Sequence, residues 1–334
     1  AARRGMSWLG RGAAAALRQG CVQLGMRSRS FSTLASALDA DLIGFIGLGN
    51  MGLPMASNLL THGRRLLVFD MSDERLQEAQ KRGAKAAQSV AHVAREARVV
   101  MTMLPATKHV KAVYLGETGL LANLGEKGSL IIDSSTIDPV SAEEVNKEAT
   151  SAGYRMVDAP VSGGVPGAVD ATLTFMVGGT DDNFKATQPL LAMMGKSVVH
   201  CGGPGKGAAF KVCNNLILAV SMLGVSEGFR LAESLGVDLN KFASVVNTSS
   251  GRCWSSDTYN PAPGVMDNVP ASRDYVGGFA IDLMVKDLGL ALSAAEVTKA
   301  PLPATKEAHR LYGQVAAKGH GSLDFGSVYK YGGT

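Results

Sequence analysis

The chain has 334 residues, 46% of them hydrophobic, and 33 Lys and Arg against 29 Asp and Glu give a formal charge of +4. That length and apolar content suit two packed domains. The four cysteines, Cys21, Cys201, Cys213 and Cys253, form no C-x-x-C pair and have no His at ligand spacing, so neither a disulfide framework nor a zinc centre is indicated and no metal is expected. Cys201 and Cys213 read most simply as small buried hydrophobes.

Residues 1–38 carry Arg3, Arg4, Arg11, Arg18, Arg27 and Arg29 and no Asp or Glu, among Ala, Ser and apolar residues such as Trp8, Leu9 and Leu17. This is the composition of a mitochondrial transit peptide, which sets the segment apart from the fold and points to the matrix. A basic arm for nucleic acid or acidic lipid has a similar composition. Without those six charges the formal charge falls from +4 to −2, so the remainder gives no reason to expect a nucleic-acid partner.

An apolar run, Ile43 to Ile46, leads into Gly47-Leu48-Gly49-Asn50-Met51-Gly52, and a second, Leu67-Val68-Phe69, ends at Asp70. A strand turning through G-x-G-x-x-G into a helix, with an acid about 20 positions on, is the pattern of a dinucleotide site. Gly47 would make the turn, Gly49 would admit the pyrophosphate, Gly52 would let helix and strand approach, and Asp70 would hold the adenosine ribose. A glycine-rich turn that binds nothing shares the motif but does not require the acid. Because Asp70 accepts from a 2′-hydroxyl and repels a 2′-phosphate, and Met71-Ser72-Asp73-Glu74 supply no adjacent Arg, the expected cofactor is NAD.

From Asp41 to Gly203 short apolar runs at 43–47, 65–70, 98–103, 129–133, 155–160, 173–178 and 197–200 alternate with helical patterns such as Met51–His62, Glu74–Arg82 and Ser141–Ala152. The alternation predicts an α/β fold, a doubly wound and mainly parallel sheet over 41–203, with ligands at the carboxyl ends of its strands. Beyond Gly207 the strand pattern stops. Helices are expected over Ala208–Leu235, closed by Gly236, and over Asn240–Asn247, Ile281–Thr298 and Thr305–Lys318, with an irregular segment from Thr248 to Gly278. Residues 204–334 are therefore read as an all-helical domain joined through the long helix. The uncharged run Val212–Ser226 is shorter than the roughly 18 to 20 residues of a membrane span, so no membrane partner is expected.

Within that helix Lys211 and Asn215 lie four residues apart, on one face. A lysine in such apolar company either reaches out to water or has its pKa lowered enough for proton transfer. Ser162-Gly163-Gly164, after an apolar strand, offers a hydroxyl and adjacent N–H groups that suit a carboxylate; an ordinary turn looks the same. Gly202-Gly203-Pro204-Gly205-Lys206-Gly207 lacks the Ser/Thr and the earlier Gly of a phosphate loop and is not read as one.

Taken together, Gly44 through Leu59, Asp158–Gly164, Lys211-Val212-Cys213-Asn214-Asn215, Lys286-Asp287-Leu288-Gly289-Leu290-Ala291 and Ser249–Asp257 resemble the β-hydroxyacid dehydrogenase family, from about Ile43 to the C-terminus. The last segment is most similar to the branch that oxidises 3-hydroxyisobutyrate to methylmalonate semialdehyde in valine breakdown. The resemblance implies an NAD-binding Rossmann domain, a small 3-hydroxy acid as substrate and a homo-oligomer, dimer or tetramer. It implies that Lys211 transfers the proton, Asn215 orients substrate and Ser162, Gly163 and Gly164 hold its carboxylate. It places Leu104, Pro105, Thr136 and Lys286 by the cofactor, and His109 where relatives carry Asn near the adenosine. Neighbouring family members act instead on tartronate semialdehyde, glyoxylate or succinic semialdehyde, and a non-catalytic relative would lack the helix lysine. Ala171 stands where relatives have Gly; if that position needs positive φ, Ala adds strain.

Overall fold

The apolar runs form nine strands of one sheet in a computed structural model that describes residues 42–332. The basic stretch 1–38 lies outside the described residues. The strands are β1 (Ile43–Ile46), β2 (Leu66–Phe69), β3 (Lys85–Ala86), β4 (Val99–Thr102), β5 (Leu130–Asp133), β6 (Arg155–Asp158), β7 (Val161–Ser162), β8 (Leu173–Gly178) and β9 (Gly195–Gly202). Their order is β3-β2-β1-β4-β5-β6-β8-β7, with β9 on β8. The first six are all parallel and follow the 3-2-1-4-5-6 winding of dinucleotide-binding sheets, which places the switch point between β1 and β4. Every residue of β1, β4 and β5 is buried, as expected of strands covered on both faces.

Intervening helices are α1 (Gly52–Thr61), α2 (Asp73–Lys81), α3 (Val90–Glu96), α4 (Thr107–Leu115), α5 (Leu120–Asn123), α6 (Pro139–Ser151), α7 (Gly164–Val169) and α8 (Asp181–Leu191). Ser72, Ser89, Asp138 and Thr180 each accept a hydrogen bond from the first turn of the helix that follows. The expected strand 155–160 stops at Asp158. The chain turns at Ala159-Pro160, where the Pro160 carbonyl accepts from Met176 N, and resumes as β7 antiparallel to β8. β3 and β7, two residues each, are too short to show a period.

After β9 the fold is helical: α9 (Lys206–Ser234), α10 (Leu239–Val246), α11 (Trp254–Asp257), α12 (Ile281–Thr298), α13 (Pro303–Val315) and α14 (Val328–Tyr331), with Gly236 at φ 72 closing α9. The segment read as irregular holds α11 and a 3₁₀ turn at Pro270–Arg273. One core cluster, with Ile46, Val100, Tyr114, Ile131 and Val145, lies on the sheet, and another, with Ala219, Met222, Ile281, Met284, Leu288 and Tyr312, joins α9, α12 and α13.

Helix α9 has 29 residues and, by length and composition, is long and apolar enough to cross a membrane. It exceeds the uncharged run Val212–Ser226 because it continues past Lys211 and Glu227. Its inward face carries Lys211, Asn215, Ala219, Met222 and Phe229, while Phe210, Cys213, Ile217 and Leu231 face out. This corrects one expectation: Cys213 is exposed and Cys201 only half-buried. α9 is apolar on both faces, so its sequence does not say which one is covered.

Candidate active site

The glycine loop has the space a pyrophosphate requires. Gly47 turns at φ 95, a Cβ there would run into the Met103 carbonyl, and one at Gly52 would run into the Gly47 carbonyl. A Cβ at Gly49 would meet nothing within 4 Å, which leaves the loop's backbone open to approach. α1 has neither a side-chain cap nor an acidic residue in its first turn, so its N-terminus can meet an anion. Asp70, at the end of β2, accepts from Leu48 N at 2.5 Å through Oδ2 and from Ser72 N at 2.8 Å through Oδ1, which fixes its carboxylate beside the loop. The residues fit a dinucleotide of the NAD type.

The loops that follow β4 and β5 rest on a buried polar chain at the ends of those strands. Tyr114 Oη lies 2.7 Å from Thr102 Oγ1, which donates to Asp133 Oδ1 at 2.8 Å, and Ser135 N donates to the same oxygen at 3.0 Å. Burial pushes the Asp133 carboxyl up to about 6, against the pull of its hydrogen bonds. Ser135 Oγ accepts from Leu104 N at 2.9 Å, tying Leu104-Pro105 to the turn that carries Thr136.

Across from these loops, α12 brings Lys286, whose Nζ donates to the carbonyls of Thr136 at 3.0 Å and Pro105 at 3.3 Å. Lys286 also lies 3.1 Å from Asp287 Oδ1, and Asp287 Oδ2 accepts from Asn215 Nδ2 at 2.5 Å. Asn215 Oδ1 accepts from Asn214 Nδ2 at 3.1 Å. Lys211, only 8% exposed, is drawn down to about 8 by burial; Asp287 opposes the shift and Lys286 adds to it. A lysine so placed exchanges a proton near neutral pH.

The turn expected to hold a substrate carboxylate leaves β6. Ser162 is half-buried in β7, and Gly163 and Gly164 follow at φ 132 and 62, positions that favour glycine, where α7 begins without a side-chain cap. Ala171, in the turn between α7 and β8, has φ 54, so the position is indeed left-handed and alanine is strained there. His109 is exposed in the first turn of α4.

Asp158, also at the end of β6, has a role the sequence did not suggest. α9 starts at Gly205 with no side-chain cap of its own; instead Asp158 Oδ1 accepts from Gly205 N and Oδ2 from Ala208 N, both at 2.8 Å. A strand-end carboxylate thus caps the helix that carries Lys211. The role of Asp287 is equally hidden at the level of sequence, although both acids stand inside the motifs that single out their neighbours. No group of three or more His, Cys, Asp or Glu able to hold a metal ion occurs among the described residues.

Comparison with known proteins agrees with this geometry. A family model described as the NAD binding domain of 6-phosphogluconate dehydrogenase matches residues 42–203, and one described as NAD-binding of NADP-dependent 3-hydroxyisobutyrate dehydrogenase matches 205–331. The chain is 48% identical to human mitochondrial 3-hydroxyisobutyrate dehydrogenase over 96% of both chains. It is 50% identical to a probable mitochondrial 3-hydroxyisobutyrate dehydrogenase of Dictyostelium discoideum, over 89% of this chain and 92% of that one. Among solved structures, 3-hydroxyisobutyrate dehydrogenase of Mycobacterium tuberculosis with L-serine is 41% identical, covers 87% of this chain and 98% of its own, and superimposes with a TM-score of 0.82. With identity of this depth running through both the sheet and the helices, the chain belongs to the 3-hydroxyisobutyrate dehydrogenase family of NAD-binding oxidoreductases.

Proposed function

We propose that the chain oxidises 3-hydroxyisobutyrate to methylmalonate semialdehyde with NAD+, in valine breakdown. The observation that carries this reading is the buried cluster of Lys211, Asn215 and Asp287, which the half-buried Lys286 ties to the loops after β4 and β5. The substrate carboxylate is held by Ser162 and the N–H groups of Gly163 and Gly164, and Asn215 and Lys211 hold its hydroxyl. Neutral Lys211 accepts the hydroxyl proton as the C–O double bond forms; in the reverse direction the ammonium returns it. NAD+, when bound, supplies the hydride acceptor. Gly47 to Gly52, Asp70, Leu104, Pro105, Thr136 and Lys286 hold the cofactor, with His109 at the adenosine side.

Residues 41–203 form the cofactor domain and 204–334 the substrate domain in this reading. The outer face of α9 repeats Phe210, Ile217, Gly224 and Leu231 every seven residues, beside an apolar cleft of about 290 Å³ lined by Leu216, Ile217, Val220 and Pro301 to Pro303. An exposed apolar face of this kind supports a homo-oligomer, dimer or tetramer, built on α9. The relatives are named mitochondrial, and the basic residues 1–38 support import to the matrix.

The test is NADH formation by the chain lacking residues 1–38, offered 3-hydroxyisobutyrate, glycerate or 4-hydroxybutyrate. Preference for 3-hydroxyisobutyrate is expected. Preference for another acid keeps the mechanism and changes the substrate, and absence of turnover with all three overturns the reading.

A further inference from the structure

The four residues after Asp70 supply no arginine, but the fifth does, and the fold turns it back toward the glycine loop. Arg75, in the first turn of α2, donates from Nη2 to Asn50 Oδ1 at 3.2 Å. This contact joins the glycine loop to the β2–α2 turn, the two segments that flank Asp70 and so the ribose it would hold. The guanidinium is loosely held. Its Nη1 lies 3.5 Å from Glu78 Oε2, and Glu78 is already paired through Oε1 with Arg82 Nη2 at 2.5 Å, while Arg82 Nη1 donates to Ser57 Oγ. Exposed pairs of this kind add at most a few tenths to ~1 kcal/mol, so Arg75 can exchange Glu78 for a better anion. Two of its five N–H donors are engaged, which leaves a fork that matches phosphate geometry.

Asp70 acts in the opposite sense. Its carboxylate, fixed by Leu48 N and Ser72 N, presents negative charge where a ribose 2′ substituent would lie. We propose that Arg75 is a 2′-phosphate contact built into the adenosine subsite and masked by Asp70. The chain then binds 2′-phosphorylated adenine nucleotides weakly as it stands, and well once residue 70 is neutral. This rests on reading Gly47 to Asp70 as the dinucleotide site.

Titration calorimetry with 5′-AMP and adenosine 2′,5′-bisphosphate separates the 2′-phosphate from the rest of the nucleotide. Arg75→Ala should weaken the bisphosphate about tenfold, the size of one charge-assisted contact at a partly exposed site, and leave 5′-AMP within about twofold. Asp70→Asn should strengthen the bisphosphate about tenfold, and Asp70→Asn with Arg75→Ala should lose that gain. Equal losses for both nucleotides in Arg75→Ala, or a gain that survives in the double variant, would overturn the proposal. If neither nucleotide binds the unsubstituted chain, the dinucleotide-site reading falls and the proposal falls with it.

Discussion

Asp287→Asn isolates the charge that keeps Lys211 from falling further. Burial lowers the Lys211 ammonium to about 8 even though Asp287 pulls it upward. The asparagine keeps an oxygen to accept from Asn215 Nδ2 but has no charge to favour the ammonium. An opposite charge at close range moves a pKa by about 1 to 3 units, so its removal should carry Lys211 from about 8 to roughly 7 or below. The sign follows directly: oxidation uses the neutral amine, so its acid-side limb should move to lower pH. At pH 7 the neutral fraction rises from about one tenth to about one half. The assay is kcat/KM for 3-hydroxyisobutyrate from pH 6 to 10 at saturating NAD+, with a substrate deuterated at the oxidised carbon to confirm that the limb belongs to the chemical step. NAD+ affinity, measured separately by fluorescence, checks the cofactor site. A limb that stays in place while kcat falls would mean that Asp287 acts only by orienting Asn215. A limb that moves to higher pH would refute the charge argument altogether.

Ala171→Gly should stabilise the protein by about 1 kcal/mol and raise Tm by about 2 °C, because φ 54 costs alanine more than glycine's added freedom in the unfolded chain; a lower Tm would contradict this. Asp158→Asn leaves an amide N–H facing a helix N–H, and urea unfolding should show a loss of about 2 kcal/mol, with kcat reduced and NAD+ affinity retained. Unchanged kcat would show that the cap does not set the position of Lys211. Ile217→Asp places a charge at the centre of the exposed face of α9, and sedimentation should then report a smaller species than for the unsubstituted chain; an unchanged mass would move the interface elsewhere.

The parts of the fold legible in the sequence are those with a local signature. The strand, glycine turn and helix from Ile43 to Thr61 declare themselves by apolar runs and by the spacing of their glycines, of which Gly47 and Gly52 have no room for a Cβ. Lys211 and Asn215 are legible as a pair because they sit one helical turn apart. The remainder of the site depends on partners remote in sequence. Asp287 meets Asn215 across 72 residues, and Asp158 meets the start of α9 across 47 and 50, separations on which local periodicity is silent. Arg75 lies one position beyond Met71–Glu74, the residues adjacent to Asp70, and only the fold turns it toward Asn50. Cys213 is illegible for a different reason: in a helix apolar on both faces, hydrophobicity does not rank one face above the other.

The cap that Asp158 places on α9 bears on the order in which the chain acquires its structure. A helix that carries its own cap can close its first turn alone, but α9 begins at a glycine in the left-handed region and borrows its acceptor from a strand. Its first turn gains that support only after β6 has joined the sheet. The helical half therefore inherits its alignment from the sheet, and an excised fragment beginning at residue 204 would keep the lysine and lose the anchor that tells it where to point.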